Sequence, residues 1–162
     1  MDAAARSPRS RRRFDSPHQE AFLALWRTYD RLRAFEDELF KRFDLTPQQY
    51  NALRLLRAEH PRALPTLVLA ERLVSRAPDI TRLVDKLEDR GLIVRTRPPE
   101  NRRSVLLAIA EPGLALIEKI AGPLKECHAR QLGHLPAADL TKLIALLKAA
   151  RAPHEPEDSV WK

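Results

Sequence analysis

The chain has 162 residues, of which 44% are hydrophobic and 31% charged, and it carries a net charge of +7 with an isoelectric point near 10.1. That length suits one domain with helical extensions and a buried core, and the basic balance favours an anionic partner. A single cysteine excludes an internal disulfide framework, and no apolar run reaches the length of about 18 residues that a membrane span needs. The N-terminal MDAAARSPRSRRRFDSP lacks the apolar segment of a signal peptide, so a soluble cytoplasmic protein without membrane contact is expected.

Residues 1 to 16 hold five arginines against two aspartates and read as a disordered basic tail. A long helix is expected from about His18 to Arg42, within a segment 17 to 43. There Phe22, Leu25, Trp26, Tyr29, Leu32, Leu39, Phe40 and Phe43 recur at three and four, a stripe too apolar to stay wet. The next helix opens on Thr46 as N-cap, Pro47 at N1 and Gln49 completing a capping box, with Leu45 and Tyr50 as a hydrophobic staple. It turns Leu53 and Leu56 inward and ends near His60 and Pro61. Pro61 and Pro65 bracket a loop. A short helix from Thr66 to Leu73 buries Leu67, Ala70 and Leu73.

Ser75, or a residue one or two later, is expected to cap the helix containing Ile80; with Ser75 as cap, Pro78 sits harmlessly in the first turn. Ile80, Leu83, Val84 and Leu87 make its apolar stripe, and Gly91 supplies a left-handed stop. The apolar period then changes from about 3.6 to 2, with Leu92 and Val94 followed by Val105, Leu107 and Ile109. This marks a β-hairpin whose tip, RTRPPENRR, sets Arg95, Arg97, Arg102 and Arg103 against Glu100 alone. Pro98 and Pro99 forbid ladder hydrogen bonds, so the tip projects. Beyond it, Leu114, Ile117, Ile120 or Ala121, Leu124 and Cys127 or His128 continue a helical stripe to Leu132, with a kink or break expected at Pro123. Leu140, Leu143, Ile144 and Leu147 make another. The acidic end is expected to be disordered, with no role for Trp161.

Helix, turn, helix and basic hairpin in that order describe a winged helix-turn-helix, and the fold class is mainly α with a small β-hairpin wing. Such a unit places the N-terminal end of its second helix in the major groove of double-stranded DNA. Candidate reading residues are Ser75, Arg76, Asp79, Thr81, Arg82 and Lys86. Arg82 or Arg76 can bond guanine in bidentate fashion and Thr81 can meet a thymine methyl. Asp79 either accepts from cytosine, holds an arginine, or favours the positive helix end. Candidate backbone contacts on the wing are Arg95, Arg97, Asn101, Arg102 and Arg103, since each neutralised phosphate releases counterions. A charged turn is also a common guard against edge aggregation. The apolar surface of the first and last helices exceeds what a small winged helix needs and calls for a partner, for which a two-fold homodimer is the commonest arrangement.

No phosphate-binding glycine loop, G-x-S-x-G or H-E-x-x-H motif is present, so an enzyme is not expected. Glu126, Cys127, His128 and His134 lack the spacing of two convergent metal-binding pairs, and Cys127 reads as a buried or bystander thiol. Non-specific architectural DNA binding and a protein-docking adaptor are the rival readings.

DLTPQQYNALRLL, LAERL, ITRLVDKLEDRGLIVR and ENRRSVLLAI together resemble a bacterial MarR-family (multiple antibiotic resistance regulator) transcription factor from Asp44 to about Gly113. The resemblance implies a dimeric winged helix, 44 to 110, between dimerisation helices at 17 to 43 and 111 to 151, with a tail at 152 to 162. It further implies binding to a pseudo-palindromic promoter site, usually as a repressor released by a small-molecule inducer. No cofactor is expected. Trp26, Tyr29 and Tyr50 are candidate lining residues for a small aromatic effector, although an aromatic stripe at helical spacing also makes plain core. The family's wing typically reads Asp-x-Arg; here Asn101 stands for the Asp and Arg103 matches the Arg. Ala110 stands where a capping threonine is common, a loss of about 1 kcal/mol.

Overall fold

A computed structural model describes residues 14–74, 79–99, 104–157, 159 and 161. Its elements run α1 (Pro17–Lys41), α2 (Pro47–Glu59), β1 (Leu64–Pro65), α3 (Thr66–Arg72), α4 (Ile80–Asp89), β2 (Ile93–Thr96), β3 (Leu106–Ile109), α5 (Glu111–Leu132) and α6 (Ala137–Arg151), then a 3-10 turn at Ala152–His154. The chain divides into a unit ending at Ala34 and a second beginning at Phe35.

In the first unit, α1 starts one residue earlier than the apolar pattern suggests because its cap is polar. Ser16 Oγ accepts from the Gln19 amide at 3.1 Å, and the Gln19 side chain returns to Asp15, accepting from its amide at 2.8 Å and donating to its carboxylate at 3.0 Å. Pro17 at the first helical position needs no amide partner there. Phe22, Trp26 and Tyr29 are 62%, 62% and 60% exposed.

The second unit holds the core. Phe40, Leu53, Leu56, Leu69, Leu87, Leu107, Ile117 and Ile120 are its largest fully enclosed side chains, drawn from α1, α2, α3, α4, β3 and α5. The capping box of α2 forms as its sequence dictates: Gln49 N donates to Thr46 Oγ1 at 3.2 Å and Thr46 N to Gln49 Oε1 at 2.8 Å. Tyr50 stacks on Phe40 with ring centroids 4.7 Å apart.

The wing is a three-stranded antiparallel sheet in the order β1-β3-β2. Leu64 and Pro65, expected in a loop, pair with Leu107 and Leu106, and both the amide and the hydroxyl of Thr66 donate to the Val105 carbonyl, at 3.0 and 3.1 Å. A two-residue strand is too short to show alternation, so periodicity could not reveal it. β2 is out of phase with the expected pattern: Ile93 is buried while Val94 is 50% exposed. The pairs Ile93↔Ile109 and Arg95↔Leu107 therefore place Arg95 on the inner face of the pleat.

Three further expectations are corrected. Leu69 is fully buried in α3 whereas Leu67 is 75% exposed, so the seven-residue helix presents a different edge to the core. α5 runs unbroken through Pro123. The carbonyl that loses its donor belongs to Lys119, on a stretch where Lys119, Ala121 and Gly122 are exposed, and water can satisfy it. The described residues of the C-terminal segment, expected to be disordered, make defined contacts: Arg151 forms an ion pair with Glu155 at 3.1 Å and donates to the Trp161 carbonyl at 2.9 Å.

Ala110 caps α5 without a side-chain acceptor. The α5 entry is fixed instead by close approach, because a Cβ on Gly113 would lie 2.2 Å from the Leu92 carbonyl oxygen. Among the described residues no helix is long and apolar enough to cross a membrane.

Candidate nucleic-acid interface

α4 is the helix on which the described reading candidates fall. Its cap is Asp79, whose Oδ1 accepts from the Arg82 amide at 2.9 Å. The helix therefore begins at Ile80, and its cap lies four residues beyond Ser75 rather than at Ser75 or the one or two residues after it. The physical reason is that a cap at Ser75 would put Pro78, which has no amide to donate, at N3, whereas Asp79 finds an N3 amide in Arg82 and adds its charge to the positive helix end. Ser75 and Arg76 lie outside the described residues. Leu83, Val84 and Leu87 are buried on one side of α4, while Thr81, Arg82 and Lys86 are exposed on the other. Those three, with Asp79, are the predicted reading residues that the structure gathers on one exposed face.

The C-terminal end of α4 closes in a Schellman turn. Leu92 N donates to Leu87 O at 3.0 Å and Gly91 N to Glu88 O at 2.7 Å, with Gly91 at φ +65°. This left-handed residue was read from sequence, and it directs the chain straight into β2.

The preceding helix is held by polar ties. The Val74 amide donates to Asn51 Oδ1 at 3.3 Å, joining the end of α3 to α2. Arg72 and Arg62 donate to opposite oxygens of Glu59, at 2.7 and 3.0 Å. Hydrogen bonding from Arg72 holds the Glu59 carboxyl below its ordinary value, against a smaller opposing effect of burial.

On the hairpin, Arg97 and Pro99 are exposed. Asn101, Arg102 and Arg103, with Glu100, lie outside the described residues. Arg95 does not project with the tip. Its guanidinium is 2.5 Å from Asp85 and 3.1 Å from Glu88, and its side chain is only 20% exposed. The expected phosphate contact is thus replaced by an ion cluster that joins β2 to α4, a direct result of the strand phase. Asp85 and Glu88 sit three apart, on one side of the helix, and with the correct phase this pairing was available from sequence. Arg90, by contrast, is not among the residues expected from the sequence to take part in the site. Its guanidinium donates to the Asp44 carbonyl, and to the Phe43 carbonyl at 3.2 Å, a contact across 46 residues that no local pattern announces.

Trp26 and Tyr29, the aromatic candidates of the first unit, are exposed, while Tyr50 of the second is half-buried against Phe40. Burial raises the Tyr50 hydroxyl pKa. Cys127 is buried, and burial, then the Glu36 carboxylate, push its thiol pKa upward.

The family model for "MarR family" matches residues 45–105, from the residue before the α2 cap to the residue before β3. A solved MarR transcription factor from Planctomyces limnophilus is 55% identical, with 85% of this chain and 99% of that chain covered and a TM-score of 0.68. The homoprotocatechuate degradative operon repressor of Escherichia coli is 25% identical over 131 residues, 81% of this chain and 87% of that protein. A mutant MarR from E. coli, solved in complex with operator DNA, is 21% identical over 81% of this chain and 93% of its own, with a TM-score of 0.72, a likeness of fold. With a capped helix exposing threonine, arginine and lysine beside a paired hairpin, and a relative 55% identical along almost its whole length, the chain belongs to the MarR family of winged-helix DNA-binding transcriptional regulators and is not an enzyme.

Proposed function

We propose that the protein is a cytoplasmic, sequence-specific dimeric repressor that binds a pseudo-palindromic promoter site and is released by a small aromatic effector. The observation that carries the sequence-specific part is the face of α4, where Thr81, Arg82 and Lys86 stand exposed opposite three buried aliphatic residues. In this reading the N-terminal end of α4, with Ser75, Arg76, Asp79, Thr81, Arg82 and Lys86, addresses base edges. Arg97, Asn101, Arg102 and Arg103 engage the flanking backbone, and Arg95 acts by positioning. A two-fold dimer would place half-sites about 10 base pairs apart, centre to centre. Exposed aromatic residues in the first unit, and Ile144 and Leu146 at 54% and 59% exposure on α6, support a partner surface. The name of the E. coli relative, a repressor of a homoprotocatechuate degradative operon, supports repression. Trp26, Tyr29 and Tyr50 remain the candidates for contact with an aromatic effector.

The test begins with selection of bound duplexes from a random pool, followed by gel shifts of the selected duplex and its scrambled version over a range of salt. A symmetric consensus, bound far more tightly than the scrambled duplex at physiological salt, is the expected result. Equal affinity for any duplex would instead establish an architectural protein, and no binding would establish an adaptor. Arg82→Ala should relax preference at one half-site position at a cost of about 1 to 3 kcal/mol, whereas Arg103→Ala should weaken all sequences and reduce the salt slope by about one contact. Effector binding is read by thermal stabilisation with a panel of aromatic acids and phenols, because a ligand of the folded state raises its melting temperature by mass action.

A further inference from the structure

We infer that Arg90 is a positioning residue for sequence reading, a pin that fixes the angle of α4 by tying its C-terminal end to the end of α1. The last turn of α1 leaves carbonyl groups that its own amides cannot reach. Two of these are met by a Schellman turn: Leu45 N donates to Phe40 O at 3.0 Å and Asp44 N to Lys41 O at 3.1 Å. Asp44 takes the left-handed position at φ 52°, a conformation more often given to glycine. The carbonyls of Phe43 and Asp44, which lie just beyond that pattern, accept from the two terminal nitrogens of Arg90. The Asp44 carboxylate, at 3.9 Å and 95% exposed, adds little beside them.

Arg90 is itself the C-cap of α4, so the fork grips the hinge end of the helix while the reading residues sit at the other end. A ten-residue helix is about 15 Å long. A swing of about 10° at the pinned end would carry Thr81 and Arg82 sideways by about 2 to 3 Å, well outside the roughly 0.5 Å tolerance of a functional constellation. Phosphate contacts, made by long and adaptable side chains, tolerate such a swing far better than bidentate base contacts. Loss of the pin therefore costs specificity before it costs general affinity. Lysine cannot replace the fork, because a single ammonium group does not present two parallel planar donors.

The inference rests on the reading of α4 as the helix that addresses bases. The full-length chain and its Arg90→Met, Arg90→Lys and Asp44→Gly variants are assayed on the duplex selected from the random pool and on its scrambled version. Arg90→Met is expected to lower affinity for the selected duplex at least about tenfold and affinity for the scrambled duplex less than about twofold, collapsing their ratio. Arg90→Lys should lower the ratio as well, and it carries the test if the methionine variant does not fold. Asp44→Gly keeps both accepting carbonyls and suits the positive φ, so it should keep the wild-type ratio. A purely structural role would lower the melting temperature of Arg90→Met while leaving the ratio intact, and that result overturns the inference. A collapsed ratio in Asp44→Gly also overturns it, by assigning the effect to the carboxylate. If the wild-type chain itself shows no preference, the reading of α4 fails rather than the role of Arg90 within it.

Discussion

Arg95 of β2 and Asp85 of α4 meet at 2.5 Å, with Glu88 at 3.1 Å from the same guanidinium nitrogen, so the first strand of the hairpin is tied to the helix before it. Asp85 is 50% exposed at the side chain and Glu88 41%, so solvent screens the cluster and its net worth is about 1 kcal/mol. The expected consequence is that Arg95→Ala weakens DNA binding through wing position and leaves the salt slope unchanged. Arg97→Ala, at an exposed residue beyond the strand, should reduce that slope by about one contact. Affinities measured across a salt series decide: a slope that falls in Arg95→Ala would return Arg95 to the phosphate-contacting set.

The helix cap gives a stability prediction. Asp79 accepts from the Arg82 amide, and its removal in Asp79→Ala should cost about 1 kcal/mol, whereas Asp79→Asn, still able to accept, should cost only a few tenths. Urea unfolding of the three proteins reads the difference. Equal losses in both variants would mean that charge at the helix end, rather than the hydrogen bond, supplies the stabilisation.

These residues show how far the sequence could be read. The capping box at Thr46 and Gln49, the stop at Gly91 and the stripe through Leu83, Val84 and Leu87 are local signals spanning at most seven residues, and each formed as its chemistry required. The phase of β2 was not legible, because Leu92, Ile93 and Val94 form an unbroken apolar run in which either alternation satisfies the pattern. That ambiguity alone moved Arg95 from the inner face to the projecting tip. Arg90 was illegible for another reason: its acceptors are main-chain carbonyls, which carry no residue identity. The cap was misplaced because serine and aspartate compete for the same role, and Pro78, harmless to the helix itself, denies Ser75 an N3 donor.

Glu59 gives a pH dependence with a definite sign. Hydrogen bonding from Arg72 lowers its folded-state pKa below the ordinary 4.5. A depressed carboxyl contributes stability that is present above the unfolded value and lost as pH falls through the folded one. The stability gap between wild type and Glu59→Gln should therefore be widest above about pH 5 and close progressively in more acid solution. Urea midpoints at intervals from neutral to acid pH test it; a gap independent of pH would show that packing of the side chain, not its ionisation, matters.

Cys127 should behave as an inert thiol. Burial and the nearby Glu36 carboxylate raise its pKa, so the thiolate, the reactive form, is scarcer at neutral pH than for an exposed cysteine. Alkylation by iodoacetamide in the native state should be much slower than in urea, and peroxide at neutral pH should leave DNA affinity unchanged. Rapid native alkylation would contradict the burial that the fold assigns to this side chain.

The C-terminal segment supplies a spectroscopic prediction. Arg151 donates to the Trp161 carbonyl at 2.9 Å, Glu155 accepts from Ser159 Oγ at 2.7 Å, and the Trp161 amide donates back to Ser159 Oγ at 3.1 Å. This clasp faces Leu67, Leu73 and Val74 of the α3 region across a cleft of about 800 Å³. In a Trp26→Phe background, Trp161 is the only remaining tryptophan of the two in the chain, and its half-buried indole should resist iodide quenching. Adding Arg151→Ala removes the hub of the clasp and should expose the indole, shifting emission to longer wavelength, while the melting temperature falls by only about 2 to 4 °C, the equivalent of about 1 kcal/mol in a chain of this size. If quenching of Trp161 is already complete with Arg151 in place, the clasp does not form in solution and the segment is the loose tail that its acidic, proline-containing sequence suggested.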